Sequence, residues 1–327
     1  MTHPIPSRRL RHVRGLTLIE MMVSLAIGLV IVVAVLYAYM GSATAARMTE
    51  AQGRMNEDAQ AALAILSQHL RMAGNNLDQP NRVEATRRNP VYAPYTQTTT
   101  VTLTAYSVRG CDRNFGNTTG AAALDDLTCA GTSTLPDSIA VNYEADRFNT
   151  IPTAAGNPTD CLGNTLPTWT ENLTTIVGAA TATTAVNYAV ADNRFYVNTV
   201  GGTPSLYCKG NGAPTPQPLV ENIEDLQFTY GTVPANATTS VANIAGYLSA
   251  GGVTSEPSLV AAYPLEEDRW RQVKAVRICL VVRSENPIVS DLASARYRRC
   301  DGTMETNPPD LRLRRAYTKT VVLRNRG

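Results

Sequence analysis

The stretch Gly15-Leu16-Thr17-Leu18-Ile19-Glu20 decides how this chain is organised, because it opens a long apolar run in which Glu20 is the only charge before Arg47. About 20 apolar residues suffice to cross a bilayer core as a helix. A carboxylate in such a helix costs roughly 2.5–3.5 kcal/mol on insertion scales, and acids inside a membrane are therefore usually paired or functional. The sequence thus predicts a membrane-spanning helix over residues 16–40 and a partner for Glu20.

Cleavage of the chain after Gly15 would create that partner. The new α-amino group of Leu16 would lie within one helical turn of Glu20, or of Glu20 in a neighbouring copy, and the two charges would neutralise each other. Arginines without acids precede the cut, and they predict that the start of the chain stays cytoplasmic while the bulk faces outward. They are Arg8, Arg9, Arg11 and Arg14.

A secretory signal peptide is one alternative, but it would have an apolar region of about 7–15 residues followed by a small-residue cleavage site. Here the apolar run is longer, and the small residue Gly15 precedes it. A plain signal anchor is the other alternative, and a basic flank with an apolar run would by itself favour it. The combination of Gly15 and Glu20 at this spacing favours a processed anchor instead.

Residues 8–46 resemble the type IV pilin and pseudopilin families, whose class III leader ends in Gly and is cut by prepilin peptidase. The resemblance implies that residues 1–15 are a cleaved leader and that Leu16 becomes the N-methylated mature N-terminus. It also implies that Glu20 neutralises the terminus of the adjacent subunit during filament assembly. Those families usually have Phe at the position of Leu16. Loss of the four leader arginines would change the formal net charge from +2 to −2, which indicates no strongly charged partner.

The helix is predicted to continue beyond the membrane segment. Small and apolar residues recur every three or four positions, which is typical of a helix face that packs on another layer; they are Met48, Ala51, Met55, Ala59, Leu63, Leu66, Leu70 and Ala73. Gly74-Asn75-Asn76 predicts the helix end, and Pro80 prevents its resumption. We therefore expect a helix over residues 16–75 and a globular head over residues 76–327.

After Pro80 the pattern changes to the alternation of β-strands. The predicted strands are Val101–Val108, Ser138–Glu144, Ala185–Val190, Phe195–Val200, Leu226–Tyr230, Val276–Val282 and Thr318–Arg324, with Asp192-Asn193 as a turn and Gly231 as a strand end. The Thr- and Asn-rich stretches Arg109–Pro136 and Ile151–Thr184 are predicted to be loops of one domain. The expected fold is α+β, type IV pilin-like, with an antiparallel sheet packed on one long helix.

Three C-terminal segments look like the pattern of PilW-type minor pilins and, more distantly, of the J-type pseudopilin of type II secretion. They are Leu219–Gly231, Val273–Ser284 and Tyr317–Asn325. The combination of these segments with the N-terminal stretch is more specific than any one of them. The variable region 91–218 has no such resemblance, and we expect subtype function to be encoded there.

Six cysteines fall in the predicted head: Cys111, Cys129, Cys161, Cys208, Cys279 and Cys300. An even number in an exported domain favours disulfides, and six cysteines allow 15 pairings among which sequence alone does not choose. Sequential pairing is preferred here, because each bond would then close a loop next to a predicted strand. A metal cluster is the weaker alternative, since there is no CxxC pair and no nearby histidine.

Histidine usage argues against catalysis. His3 and His12 precede the cut, His69 lies on the predicted helix, and no histidine follows Gly74. A Ser-His-Asp site, a Cys-His site or a histidine-bound zinc therefore cannot be assembled in the head. We expect a protein that is not an enzyme and needs no cofactor or metal, with His69 as a solvated helix residue.

A basic C-terminal region raises the question of nucleic-acid binding. Its cations are Arg296, Arg298, Arg299, Arg312, Arg314, Arg315, Lys319, Arg324 and Arg326. Basic residues interleaved with Tyr297 and Tyr317 could bind nucleic acid. We favour a solvated sheet face or contact with an acidic neighbouring subunit, so that nucleic acid is an unexpected partner.

The resemblance as a whole implies a minor pilin that co-assembles through its N-terminal helix and helps prime type IV pilus assembly near the pilus tip, in support of twitching motility and adhesion. Its expected partners are prepilin peptidase, other minor pilins, the major pilin, the inner-membrane assembly platform and a tip adhesin. The expected location is the inner membrane of a Gram-negative bacterium with the head in the periplasm, and then the pilus. The alternatives are a J-like pseudopilin and a tip-displayed module that binds surfaces or DNA.

Overall fold

The structure is a computed structural model that describes residues 15, 17–75, 106–120, 124, 126–131, 136–177, 180–233 and 244–324. The chain forms two compact units that divide between Glu50 and Ala51, inside the long helix α1 (Leu18–Met72). In the first unit, the large apolar side chains of α1 from Leu18 to Met40 are all exposed. Among the described helices, α1 alone is long and apolar enough to cross a membrane.

In the second unit, the last turns of α1 bury one face. Its buried residues are Ala51, Met55, Ala59, Ala62, Leu63, Leu66, Ser67 and Leu70. They confirm the predicted stripe except at Met48, which is only half-buried. The helix ends where predicted, because Gly74 adopts a left-handed φ of 73° and donates its N–H to the carbonyl of Asn142. Asn76 and Pro80 lie outside the described residues.

The head contains two antiparallel sheets. The first follows the order β1-β2-β4-β5-β6, with β3 also paired to β4; its strands are β1 (Val108–Cys111), β2 (Ser138–Ala145), β3 (Thr168–Val177), β4 (Ala180–Val200), β5 (Thr203–Lys209) and β6 (Gln217–Glu221). Asn222, at a φ of 62°, ends this sheet and leads directly into the second.

The second sheet follows the order β12-β9-β7-β8. Its strands are β7 (Ile223–Thr232), β8 (Gly246–Leu248), β9 (Val273–Arg283) and β12 (Arg314–Val322). The short helices α2 (Ala250–Ser255), α3 (Pro257–Ala262) and α4 (Glu266–Arg271) precede β9, and the small hairpin β10 (Tyr297–Arg298) and β11 (Met304–Glu305) precedes β12. The expected α+β class, with a long helix packed on antiparallel sheets, is confirmed.

The core lies between the buried face of α1 and the inner faces of the sheets. The predicted alternation of the two strongest strands is confirmed, since Leu226, Phe228 and Tyr230 of β7 are buried. On β9, the residues Val276, Ile278, Leu280 and Val282 are fully buried, whereas Arg277 is exposed.

The predicted turn at Asp192-Asn193 is wrong, because β4 runs through both residues without interruption. Their polar groups find partners across the sheet instead of in a turn. The backbone N–H of Asp192 donates to Asn211 Oδ1 at 3.0 Å, and Asn211 Nδ2 donates to the carbonyl of Val190 at 2.8 Å. The side chain of Asn211 thus takes the place of a strand in the gap between β3 and β5.

The predicted loop Ile151–Thr184 is also wrong over its second half. Thr168–Val177 forms β3, which pairs with the first ten residues of β4, from Ala180 to Ala189. Threonine is β-branched and favours strands in spite of its polarity, so the absence of apolar alternation hid this hairpin.

Several element boundaries differ from the predicted ones. The last strand begins at Arg314 rather than at Thr318, and β7 continues one residue beyond Gly231. The predicted strand Val101–Val108 falls mostly outside the described residues, which show a strand only from Val108 to Cys111. The sequence had not predicted short strands such as β5 and β6.

Gly110 provides a test of the packing between the two sheets. An alanine Cβ at this position would lie 2.7 Å from Cζ of Tyr230, whose fully buried ring meets Trp270 edge-on with centroids 4.9 Å apart. We expect Gly110→Ala to lower the free energy of unfolding by about 1–3 kcal/mol, because overpacking forces neighbours to shift. The measurement is urea denaturation of the detergent-solubilised chain.

Gly53→Ala is the matched control. Gly53 lies in α1, and nothing approaches within 4 Å of an added Cβ. There the same substitution should leave stability unchanged or raise it by up to about 1 kcal/mol, since alanine favours a helix. Equal effects of the two substitutions would contradict the close packing of Gly110 on Tyr230.

Candidate functional site

The N-terminus of α1 brings Thr17 and Glu20 together. Thr17 is the residue before the helix, and Glu20 is the third residue within it. The backbone N–H of Glu20 donates to Thr17 Oγ1 at 3.3 Å, and Glu20 Oε2 accepts from both the N–H and the hydroxyl of Thr17 at 3.3 Å. This reciprocal arrangement is a capping box, in which two side chains satisfy orphan donors of the first turn.

Within the described part of the chain, the contacts of the capping box bring no cation to Glu20. Both contacts from Thr17 reach Oε2, and each comes from a neutral group. A carboxylate accepts about four hydrogen bonds, so the carboxylate retains capacity for an ammonium ion. Gly15 is described and exposed at this end, whereas Leu16 lies outside the described residues.

The six cysteines form three disulfides in the head: Cys111–Cys129, Cys161–Cys208 and Cys279–Cys300. These are the sequential pairs. Each bond joins a strand residue to a loop: Cys111 ends β1, Cys208 lies in β5 and Cys279 lies in β9. The disulfides therefore attach the long loops of the head to its two sheets.

His69 is not the solvated residue that the sequence suggested. Its Nδ1 lies 3.1 Å from the hydroxyl of Tyr143 and 3.3 Å from Nδ2 of Asn193, and its ring centroid lies 5.1 Å from that of Phe195. The apolar stripe of α1 gave no sign of this, because the partners of His69 are more than 70 residues away in the chain.

The orientation of Asn193 favours one tautomer of His69. The backbone N–H of Cys161 donates to Asn193 Oδ1 at 2.9 Å, so Asn193 presents its NH₂ group to His69 and Tyr143. Nδ1 of His69 is therefore an acceptor, and the proton of the neutral ring lies on Nε2. Burial lowers the pKa of His69 to about 4, and nearby Asp160 opposes the shift only in part.

A cavity of about 350 Å³ opens beside His69. Its walls combine residues of α1 with the loop between β2 and β3, including Ile65, Gln68, Asn149, Ile151 and Leu162. Asp160 organises this loop, because it accepts hydrogen bonds from the N–H groups of Leu162, Asn164 and Gly212 at 2.9–3.0 Å. The loop is thus held by one carboxylate and by the disulfide at Cys161.

Asp137 connects the two sheets. Its carboxylate accepts from the N–H groups of Arg113 and Phe228, each at 2.9 Å, and its own N–H donates to the carbonyl of Leu226. Burial raises the pKa of Asp137 to about 6, although the two backbone hydrogen bonds partly oppose the shift. The sequence gave no signal for this residue, since an isolated Asp before a strand is common.

Part of the basic C-terminal region is paired with acids of the head. The buried Arg314 pairs with Glu224 and Asp310, Arg312 pairs with the same Asp310 at 2.9 Å, and Arg299 pairs with Glu305. These contacts hold the pKa of Asp310 well below its usual range, through hydrogen bonds from Arg314 and Arg312 that outweigh its desolvation. Three of the nine cations of the basic C-terminal region therefore have acidic partners within the head.

Over the described residues, no group of three or more His, Cys, Asp or Glu side chains is placed to hold a metal ion. His69 is the one histidine there, and its ring is held by Tyr143 and Asn193. The hydrogen bonds of His69 thus give its ring a packing role in the head.

Comparison with known families gives two matches. Residues 194–325 match the family described as type IV pilus-assembly protein W (PilW), and residues 10–36 match the prokaryotic N-terminal methylation motif. No curated protein and no solved structure matches the chain. The first range contains the three C-terminal segments and the second lies within residues 8–46, so together they confirm the resemblance to PilW-type minor pilins. The first range also begins inside region 91–218, where the sequence had shown no resemblance.

The lowered pKa of the half-buried His69 predicts a specific dependence of stability on pH. Its folded pKa of about 4 lies below the ordinary value of 6.5, so between these values the unfolded chain binds a proton that the folded chain does not. The contribution of His69 to the free energy of unfolding is fully present above pH 6.5. It falls on acidification by up to about 1.4 kcal/mol per pH unit. Urea denaturation from pH 7 to pH 4, followed by the fluorescence of the buried Trp270, measures this slope.

Two variants separate the contribution of His69 from that of Asp137. The raised pKa of Asp137 means that the folded chain binds a proton at a higher pH than the unfolded chain does, so this residue adds stability on acidification. His69→Gln should flatten the loss of stability on acidification. Asp137→Asn should steepen it between pH 6 and pH 4. Curves that run parallel to the wild type in both variants would contradict these assignments.

Proposed function

We propose that this chain, a type IV pilin-like protein of the PilW family, is a minor pilin that helps to prime pilus assembly near the pilus tip. The observation that supports this most is Glu20, a carboxylate in the first turn of an exposed apolar helix whose charge has no cation within the described residues. Packing of such helices in a filament buries their apolar faces, and it needs a positive group beside each Glu20.

In this proposal, residues 1–15 are the leader that prepilin peptidase removes after Gly15. Leu16 becomes the N-methylated terminus, and its amine neutralises Glu20 of the adjacent subunit. Residues 16–40 anchor the precursor in the inner membrane and later lie in the filament core. Residues 76–327 form the head, with the variable region 91–218 as the part that selects neighbours.

The location follows from the same chemistry. The arginine-rich start stays in the cytoplasm of a Gram-negative bacterium, and the head lies in the periplasm. Three disulfides are consistent with an oxidising compartment. After assembly the protein belongs to the pilus at the cell surface, where it supports twitching motility and adhesion.

The proposed partners are the other minor pilins, the major pilin, the inner-membrane assembly platform and a tip adhesin. Identical apolar helices allow co-assembly, and different heads select neighbours. A J-like pseudopilin is disfavoured, because the C-terminal match is to the pilus family. A DNA-binding tip module is disfavoured because acids of the head already pair with Arg299, Arg312 and Arg314.

Intact-mass measurement of the chain extracted from membranes tests processing directly. We expect a species that begins at Leu16, carries one added methyl group and has lost six hydrogens through three disulfides. In cells that lack prepilin peptidase, the full 327-residue chain should persist. A chain that keeps its leader in cells that build pili would overturn the proposal.

The role of Glu20 is tested by three variants. Glu20→Ala and Glu20→Gln should both insert and be processed normally but be depleted at least tenfold from sheared pili, because neither supplies a charge for the neighbouring amine. Thr17→Val keeps that charge and loses only the capping hydroxyl, so its incorporation should stay close to the wild type. Quantitative immunoblots of the pilus fraction against the membrane fraction provide the measurement. Efficient incorporation of Glu20→Gln would show that capping, and not charge, is what assembly requires.

A further inference from the structure

The outer face of the second sheet carries a compact group of polar side chains around one cation. In the register of the sheet, Arg277 on the central strand β9 lies between Thr229 of β7 and Thr320 of β12. Two residues along, Cys279 lies between Gln227 and Thr318 in the same way. Because alternate residues share a face, these side chains project together on the side opposite the core.

Arg277 is held in place by an aromatic ring. Its guanidinium lies 3.9 Å from the ring centroid of Tyr247, which is on β8 directly opposite Gly231. An added Cβ at Gly231 would lie 3.2 Å from the Tyr247 ring, so the glycine gives that ring room on the sheet. Stacking on Tyr247 restricts the otherwise flexible side chain of Arg277. It leaves the N–H groups at the edge of the guanidinium available to bind a planar group such as a carboxylate.

Arg277 forms no ion pair within the described part of the chain, in contrast to Arg312 and Arg314. The nearest acid in the same rows is Asp225, four residues from Thr229, and its carboxylate already accepts from Gln227 Nε2 and from the N–H of Leu226. Thr229 Oγ1 is buried and has no hydrogen-bond partner among the described residues.

These groups border a pocket of about 370 Å³ that is lined by Gln227, Thr229, Arg277, Cys279, Cys300 and Thr318. One wall is the disulfide Cys279–Cys300, which fixes the loop before β12 to the sheet. The volume is near the lower limit for small-molecule sites, and it suits one carboxylate-bearing side chain. A guanidinium fork binds a carboxylate through two parallel hydrogen bonds, and Arg277 offers such a fork at the pocket.

We propose that this pocket binds the carboxylate of an Asp or Glu side chain from the head of a neighbouring pilin. The proposal rests on the proposed function, since a minor pilin is surrounded by other heads. A protein side chain fits better than a polyanion, because the pocket offers one cation and three neutral polar side chains rather than a row of charges. The two partners would meet through a planar Arg–carboxylate contact on the outer sheet face.

Ligand-observed NMR on the full-length chain in detergent tests the chemistry of the pocket. The probes are N-acetylglutamate N-methylamide and its neutral isostere N-acetylglutamine N-methylamide, each up to about 10 mM, which exceeds the millimolar Kd expected for a small contact. We expect saturation transfer to the glutamate probe to be roughly three- to fivefold stronger, as for a favourable exposed ion pair. Arg277→Gln should abolish that preference.

Arg147→Gln is the matched control. Arg147 also stacks on an aromatic ring, with its guanidinium carbon 4.7 Å from the ring centroid of Phe148, but it lies next to the first sheet. Its loss should leave the preference for the glutamate probe intact. Equal transfer to both probes, or a preference that survives Arg277→Gln, would overturn the site.

A photo-crosslinking experiment in pilus-forming cells tests the occupant. Benzoylphenylalanine in place of Thr318 should give an adduct whose peptide belongs to another pilin and contains Asp or Glu, and Arg277→Gln should lower its yield severalfold. Adducts on polysaccharide, or adducts that Arg277→Gln does not reduce, would overturn the occupant. The NMR result does not require filament assembly, so it stands or fails independently of leader cleavage and pilus incorporation.

Discussion

The organisation of this protein depends on one carboxylate placed in the first turn of an apolar helix. Thr17 satisfies part of its hydrogen-bonding capacity but adds no positive charge. Membrane insertion and lateral packing of the helix both remove water from that charge, and a buried acid without a cation is strongly unfavourable. In the proposed assembly, proteolysis supplies the cation, and the same covalent step that releases the helix also completes its charge pairing.

The second half of the helix has a different physical role. From Ala51 onward its small and apolar side chains form part of the core, and no polar side chain except Ser67 is buried on that face. Asp137 then joins the edge of the first sheet to β7, and Asp160 and the disulfide at Cys161 hold the long loop over His69. Buried carboxylates and disulfides thus hold loops whose sequences contain few apolar residues.

Local signals were sufficient for the elements whose patterns are set by neighbouring residues. The helix end at Gly74 and the alternation on β7 and β9 follow from the residues themselves. The predictions were wrong where residues distant in the sequence determine the local structure. Asp192 stays in a strand because Asn211 binds its backbone, and His69 is enclosed because Asn193 and Tyr143 fold against it. The hairpin of β3 was hidden because threonine supplies strand propensity without the apolar alternation that usually reveals a strand. At the candidate site, the roles of Gly15 and Glu20 stay predictions from their spacing, whereas the structure adds the contacts between Glu20 and Thr17.

The disulfides also determine how the head would respond to mechanical tension. A loop closed by a covalent bond cannot add to the length that a pulled chain releases, even when its strands come apart. The Cys161–Cys208 bond alone prevents the extension of a segment with a sequence separation of 47. At about 3.3 Å per residue, that segment would otherwise add roughly 150 Å to the stretched chain. A fibre subunit with these bonds extends far less under load than its chain length would allow.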